Sequence, residues 1–131
     1  MKIKLAIAAI VGFFLAGPAL AHHSFAMFDA EKTQFIDGTV KEFELINPHA
    51  WLYVVAKDAK GKQAEWGIEM GGAAALARIG WGADTVKPGD KIVVEIHPLK
   101  DGSYGGQYVK AKFPDGRSLD GGDPGLPPAL R

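Results

Sequence analysis

Four histidines are the residues of this chain whose types and positions could support chemistry. They are His22, His23, His49 and His97. If the chain is processed after Ala21, His22 becomes an N-terminal residue whose α-amine and imidazole Nδ1 can chelate one metal ion. A second imidazole would complete a three-nitrogen, T-shaped site, the arrangement called a histidine brace. Because nitrogen-rich tetragonal sites favour Cu(II), the pattern predicts that these four histidines bind copper or another divalent metal.

Each histidine also has an ordinary structural interpretation. His22 and His23 could form a solvated terminus, and His49 could bond to backbone groups to hold the Asn47-Pro48 turn. His97 could be a half-exposed strand residue. The metal site requires that the histidines converge, and spacing alone leaves both interpretations open.

The first 21 residues predict export. Lys2 and Lys4 form a positively charged start, residues 5–15 are apolar and uncharged, and Gly17-Pro18 would break a helix. Residues 19–21 form an A-x-A cleavage site. The apolar run is shorter than the ~20 residues that span a bilayer, so the segment predicts a cleavable signal peptide rather than an uncleaved anchor. The expected location is the periplasm, with no membrane insertion after cleavage.

The composition of the chain excludes several kinds of site and partner. The chain has 131 residues and no cysteine, which excludes disulfides, thiolate metal sites and lipidation at a cysteine. It carries 15 Lys and Arg against 15 Asp and Glu, and no basic block stands out, so nucleic acid is not an expected partner. The length predicts one domain over residues 22–119, after a signal peptide at 1–21 and before a disordered tail at 120–131.

Hydrophobic patterning predicts five strands and one short helix. The strands are expected over residues 34–45, 50–57, 63–70, 91–97 and 107–113, and the helix over 73–79, ending at Gly80. The tryptophans at 51, 66 and 81 are expected to fill the core. Three strands, a helix and two strands follow the order of an OB-fold. The predicted fold class is therefore all-β with one short helix, a small five-stranded OB-like Greek-key barrel; a generic β-sandwich is the alternative.

The predicted barrel would position two of the histidines. The first two strands form a long hairpin with His49 at its tip, because Asn47-Pro48 initiates turns. His97 ends the fourth strand. In an OB-type barrel we expect the first hairpin loop and the loop between the last two strands to share one rim, beside the usual ligand surface.

Several short motifs in the chain occur together. They are HHSFAMFD at 22–29, GTVKEF at 38–43, NPHAW at 47–51, EWGIEM at 65–70, RIGW at 78–81 and KPGDK at 87–91. In combination they resemble an uncharacterised domain-of-unknown-function family of small exported bacterial proteins. The resemblance covers residues 22–119 and implies a periplasmic β-barrel without an established activity. The matched positions are His22, His23, Ser24, Phe25, Asn47, Pro48, His49 and Trp51; His97 is not among them.

Three functions follow from these observations. The first is a periplasmic binding protein that holds copper or another divalent metal through its histidines. The alternative is an interaction module that binds an envelope protein or a small ligand and has no catalytic activity. An oxidative enzyme with a histidine brace is expected least, because the domain is small and no acidic residue is predicted beside the histidines. The sequence therefore predicts a protein that is not an enzyme.

Overall fold

The computed structural model describes residues 25–121, and this part of the chain forms a small β-barrel. Its elements are β1 (Gln34–Glu44), β2 (Trp51–Lys57), β3 (Gln63–Glu69), α1 (Ala73–Arg78), β4 (Lys91–Pro98), β5 (Gly105–Lys112) and β6 (Ser118–Asp120). The five expected strands and the helix all occur, with ends within two residues of prediction. β6 is an addition, and it includes Asp120, where the tail was expected to begin. Residues 122–131 of that predicted tail and the predicted signal peptide lie outside the described residues.

Pairing of the strands closes the barrel. The hydrogen-bonded order is β3-β2-β1-β4-β5-β6, and β3 also pairs with β5. That last pairing is parallel and joins residues 67–69 to residues 105–107. The first five strands therefore form a complete ring, which confirms the OB-like barrel and not an open sandwich of two sheets.

The barrel interior follows the alternation of the strands. Leu52, Val54 and Ile68 are fully buried, and Trp66 and Trp81 also belong to the core. Trp51 was expected there and is instead half-buried on the outer face. It stacks on Tyr53, with ring centroids 6.3 Å apart. Both faces of β2 are apolar, so the sequence left its orientation open, and the structure turns the aliphatic residues inward.

Helix α1 covers part of the core with a single buried residue, Leu76. The helix ends at Arg78 with Ile79 as its C-cap, and Gly80 follows with φ of +96°, a left-handed conformation that favours glycine. The next residue, Trp81, donates its indole N–H to Tyr108 over 3.1 Å. Among residues 25–121, no helix is long and apolar enough to cross a membrane.

The segment before β1 attaches to the end of β4. Phe28 is buried and bridges Leu99, and the Asp29 N–H donates to the Pro98 carbonyl over 2.8 Å. The Lys100 N–H donates to the Met27 carbonyl over 2.9 Å. These bonds extend the sheet by a short edge, so residues 27–29 are held against the end of β4.

Candidate functional site

The turn that carries His49 is fixed to the connection between β3 and α1. The Ala50 N–H donates to Gly71 O over 3.1 Å, and the Met70 N–H donates to Ala50 O over 2.9 Å. The Ala73 N–H, in the first turn of α1, donates to Asn47 Oδ1 over 3.0 Å. Two segments more than twenty residues apart in sequence therefore hold one another in place.

Gly72 makes this close approach possible. A Cβ at this position would lie 2.8 Å from Asn47 Oδ1 and 2.8 Å from the Pro48 carbonyl oxygen. Side-chain carbons do not approach oxygens that closely without displacing them. The Gly71-Gly72 pair that ends β3 therefore allows the Asn-Pro-His turn to rest on the helix.

His49 lies between two acceptors. Its Nδ1 is 3.3 Å from Glu69 Oε1 and 3.3 Å from the Met70 carbonyl oxygen. Since both neighbours are acceptors, the neutral ring carries its proton on Nδ1. Nε2 is then the nitrogen whose lone pair is available to a ligand, and the side chain is 38% exposed.

Glu69 is unusually enclosed for a carboxylate. Its side chain is 13% exposed, although it lies on the outer face of β3. Burial raises the pKa of Glu69, and the nearby His49 opposes that rise. A cation bound beside His49 would favour the ionised carboxylate in the same way.

His49 and Glu69 share a cleft with residues from distant parts of the chain. The cleft has a volume of about 510 Å³ and is also lined by Phe25, Gln107 and Tyr108. Phe25, from the segment before β1, is 53% exposed. We call this space the His49 cleft; it is the place where the N-terminal segment, the β1–β2 turn and α1 meet.

The hydroxyl group of Tyr108 is fully engaged in structural hydrogen bonds. It donates its proton to the Leu119 carbonyl over 2.6 Å and accepts the Trp81 indole N–H. Burial raises its pKa far above the usual range, so the phenol remains neutral. It supplies this cleft with a rigid wall rather than a base.

His97 occupies a different environment. It is 8% exposed, and its Nδ1 lies 2.8 Å from the Lys32 carbonyl oxygen, under the segment before β1. It pairs with Gln107, which in turn pairs with Glu69, so a whole strand separates it from that carboxylate. His97 does not line the His49 cleft.

The two loops expected to share a rim have different partners. The β4–β5 loop contacts the β2–β3 turn, where the Tyr104 hydroxyl donates to Asp58 Oδ2 over 2.8 Å. The turn before β2, which carries His49, contacts α1 instead. Within residues 25–121, no group of three or more His, Asp or Glu is placed to hold a metal ion. His22 and His23, predicted to be ligands, lie outside the described residues.

Glu69 is the site residue that sequence reasoning missed. No acid was expected beside the histidines, yet Glu69 contacts His49 directly. The alternation of β3 correctly placed Glu69 on the outer face, with Glu65. The pattern of β3 alone cannot show that the β1–β2 turn covers this face, and the turn covers it at one end only.

Comparisons with solved structures and with curated proteins give limited information. The mitochondrial single-stranded DNA-binding protein Rim1 of S. cerevisiae is similar to this chain with a TM-score of 0.45 and 14% sequence identity. The alignment covers 68% of this chain and 95% of Rim1. No curated protein matches the chain.

A protein-family comparison is more informative. The model of a family of unknown function, DUF6152, matches residues 11–108, which include the His49 turn, Glu69 and Gln107. The match extends over most of the chain and confirms the expected membership in an uncharacterised family. This chain belongs to the DUF6152 family.

Proposed function

We propose that this protein is an exported, non-catalytic binding protein that holds a divalent metal ion, preferentially copper, in the His49 cleft. His49 supplies one imidazole, and His22 and His23 supply the remaining nitrogens. One observation carries the proposal: Phe25, the third residue after His22, lines the same cleft as His49 and Glu69. Export to the periplasm rests on the signal-peptide pattern of residues 1–21.

The His49–Glu69 contact suits a metal ligand. Histidines that bind metals usually donate their other ring N–H to a carboxylate or a backbone carbonyl, which fixes the tautomer and the ring orientation. His49 has both acceptors at 3.3 Å from Nδ1. Nε2 then faces its ligand as a neutral donor, and the enclosed Glu69 carboxylate adds a negative charge that attracts a cation.

Covalent geometry allows the predicted N-terminus to reach this place. Three residues span at most about 11 Å when extended, so His22 lies within that distance of Phe25. The amine and Nδ1 of a processed His22 would chelate the ion, His49 Nε2 would complete three nitrogens, and His23 would supply a fourth. Copper tops the divalent affinity order for such ligands. His97 has no part in this proposal, because its Nδ1 is bonded to Lys32 O.

Calorimetric titration of Cu(II) tests the site. The protein beginning at His22 is compared with a protein that carries one additional alanine before His22. We expect one-to-one binding that weakens on the order of 100-fold with the added residue, since the α-amine becomes a peptide nitrogen; that loss equals about 2.7 kcal/mol. A matched control carries the additional alanine after Arg131, at the other end of the sequence from the amine.

Two results would contradict the proposal. Equal copper affinity with and without the added alanine would remove the amine from the site. Absence of saturable binding in both proteins would remove the metal altogether.

Exposed apolar side chains support the alternative function, an interaction module that binds a protein or a small ligand. Phe25, Met27 and Ile46 are each about half exposed, at 53%, 49% and 49%. Phe25 and Met27 lie on the N-terminal segment, and Ile46 belongs to the turn that carries His49. A protein or apolar ligand bound to these side chains, without dependence on copper, would favour this function.

A further inference from the structure

A second cleft, which His49 does not line, lies between the β2–β3 turn and the β4–β5 loop. Its volume is about 390 Å³, and its lining includes Asp58, Lys60, Lys62, Trp66 and Tyr104. We call it the Trp66 cleft. We infer that it binds a small organic oxyanion, a carboxylate or a phosphate, through the Trp66 indole N–H and the ammonium groups of Lys60 and Lys62.

Trp66 is the first reason. The residue is 5% exposed and lines the cleft, and its Nε1 has no hydrogen-bond partner. Within residues 25–121 it is the one fully buried side-chain nitrogen or oxygen in that condition. Buried donors are almost always paired, so an unpaired N–H on a side chain that lines a cavity favours an acceptor supplied from outside the protein.

The remaining polar groups of the cleft make it a donor site. Tyr104 donates its hydroxyl to Asp58 Oδ2, and the backbone N–H groups of Lys60 and Lys62 each donate to Asp58 Oδ1 over 2.9 Å. These bonds, the Tyr104 hydroxyl foremost, lower the pKa of Asp58. Asp58 therefore organises the turn, and its single negative charge is opposed by the two lysines that also line the cleft.

The two lysines are free to face a ligand. Lys60 and Lys62 are exposed, and neither forms an ion pair within the described residues. The turn residues 58–62 hold their backbones close together, so both ammonium groups extend from one short loop. Two cations and one N–H donor around a cavity favour oxygen acceptors that carry negative charge.

Aromatic and aliphatic side chains in the Trp66 cleft would contact the apolar part of an organic anion. The Tyr104 ring meets the Trp66 ring edge-on, with centroids 5.1 Å apart, and it is 42% exposed. Pro98 and Leu99 line the same cleft. Small-molecule sites typically combine such apolar walls with a few polar groups that fix orientation.

NMR of the indole N–H groups tests the inference directly. The chain has three tryptophans, so a ¹⁵N-labelled protein gives three separate indole signals. Acetate, benzoate, inorganic phosphate and phenyl phosphate are titrated at constant ionic strength. We expect the Trp66 signal to move downfield and saturate with one of the aromatic anions, while the Trp81 signal, already bonded to Tyr108, stays in place. Benzoate and phenyl phosphate distinguish the carboxylate from the phosphate.

Lysine variants provide the matched control. The double variant Lys60→Gln and Lys62→Gln is expected to weaken the affinity for the bound anion at least tenfold. Lys87→Gln with Lys112→Gln removes the same charge from exposed positions outside the cleft and should leave the affinity unchanged. Trp66→Phe, followed by calorimetry, should lose binding while the circular dichroism spectrum is retained.

Two outcomes overturn the inference. One is a Trp66 signal that does not move with any of the four anions. The other is an equal loss of affinity in both lysine pairs, which would indicate bulk charge and not a site. Since His49 does not line this cleft, anion binding should persist in His49→Gln, and a failure of anion binding would leave the copper proposal untouched.

Discussion

The two clefts of this barrel lie toward opposite ends of the β2–β3 hairpin and are built on different principles. In the His49 cleft, a histidine and an enclosed carboxylate contact each other, and further ligands must come from residues before Phe25. In the Trp66 cleft, the carboxylate accepts hydrogen bonds from its own turn and from Tyr104, and the unmet groups are donors. Under the two proposals, one hairpin would bind a cation at one end and an anion at the other.

Replacement of His49 should give the largest difference between the ligand affinities of the two clefts. His49→Gln removes Nε2, so we expect Cu(II) affinity to fall on the order of 100-fold, or about 2.7 kcal/mol. Affinity for the anion in the Trp66 cleft should stay the same. Calorimetry with both ligands measures the two effects, and His97→Gln, which should retain copper binding, is the control. Similar copper affinity in His49→Gln and wild type would count against the comparison.

Gly72→Ala should damage the His49 cleft through packing alone. The new Cβ would collide with Asn47 Oδ1 and the Pro48 carbonyl, so we expect the free energy of unfolding to fall by about 2 kcal/mol. Urea denaturation measures this change. Gly71→Ala is the matched control, because its Cβ would meet only the Ala75 methyl at 3.4 Å. Equal stability of the two variants would show that the turn does not depend on this contact.

Glu69→Gln should raise the stability of the metal-free protein at pH 7 while it lowers the affinity for copper. Because burial raises the pKa of Glu69, its ionisation opposes folding: stability is retained below the ordinary pKa of the carboxyl group and lost as the pH rises through the folded value. The metal-free variant should therefore gain stability over wild type at pH 7 and show little difference at pH 4. Copper affinity should fall about tenfold, as for other partners of metal-binding histidines.

Thermal denaturation at the two pH values, together with copper titration, checks this prediction. A variant that lost stability at pH 7 would show that the His49–Glu69 contact outweighs the burial of the charge. Glu42→Gln, which replaces an exposed glutamate of β1 outside the His49 cleft, serves as the control.

Tyr104→Phe should have the smallest effect. It removes the first cause of the lowered pKa of Asp58, so that pKa should rise toward its ordinary value. Asp58 favours folding above its ordinary pKa and loses this contribution on acidification, and the variant should show less of that loss. Carbon-13 NMR of the Asp58 carboxyl group follows the change. Anion affinity should persist, because the ring remains against Trp66; an unchanged pKa would contradict the role assigned to the hydroxyl.

Sequence reasoning predicted the barrel well for a physical reason. Each strand carries its own alternation, and the short helix is bounded by Gly72 and Gly80, so local patterns sufficed. It failed for Trp51, because both faces of β2 are apolar. It also missed β6, which has only three residues and lies next to the predicted tail.

The candidate site was harder to predict because it depends on contacts between distant segments. His97 was correctly placed on the outer face of β4, but the segment before β1 covers it there. Glu69 lies on the outer face of β3, and the β1–β2 turn encloses it. For both residues, the alternation of the strand indicates the outer face of the sheet. Their burial depends on a segment that is distant in sequence, and local patterns do not predict that contact.

The parallel β3–β5 pairing determines how the barrel opens. It joins three residue pairs, two of them through Gly105 and Gly106, where a Cβ would collide with the carbonyl oxygens of Gly67 and His97. This seam is therefore mostly backbone, with little side-chain packing across it. Local fluctuations open regions with few apolar contacts first. Hydrogen exchange should be fastest at this seam among the five barrel pairings. Because Glu69 belongs to the seam and Trp66 directly precedes it on β3, its opening would connect the motions of the two clefts.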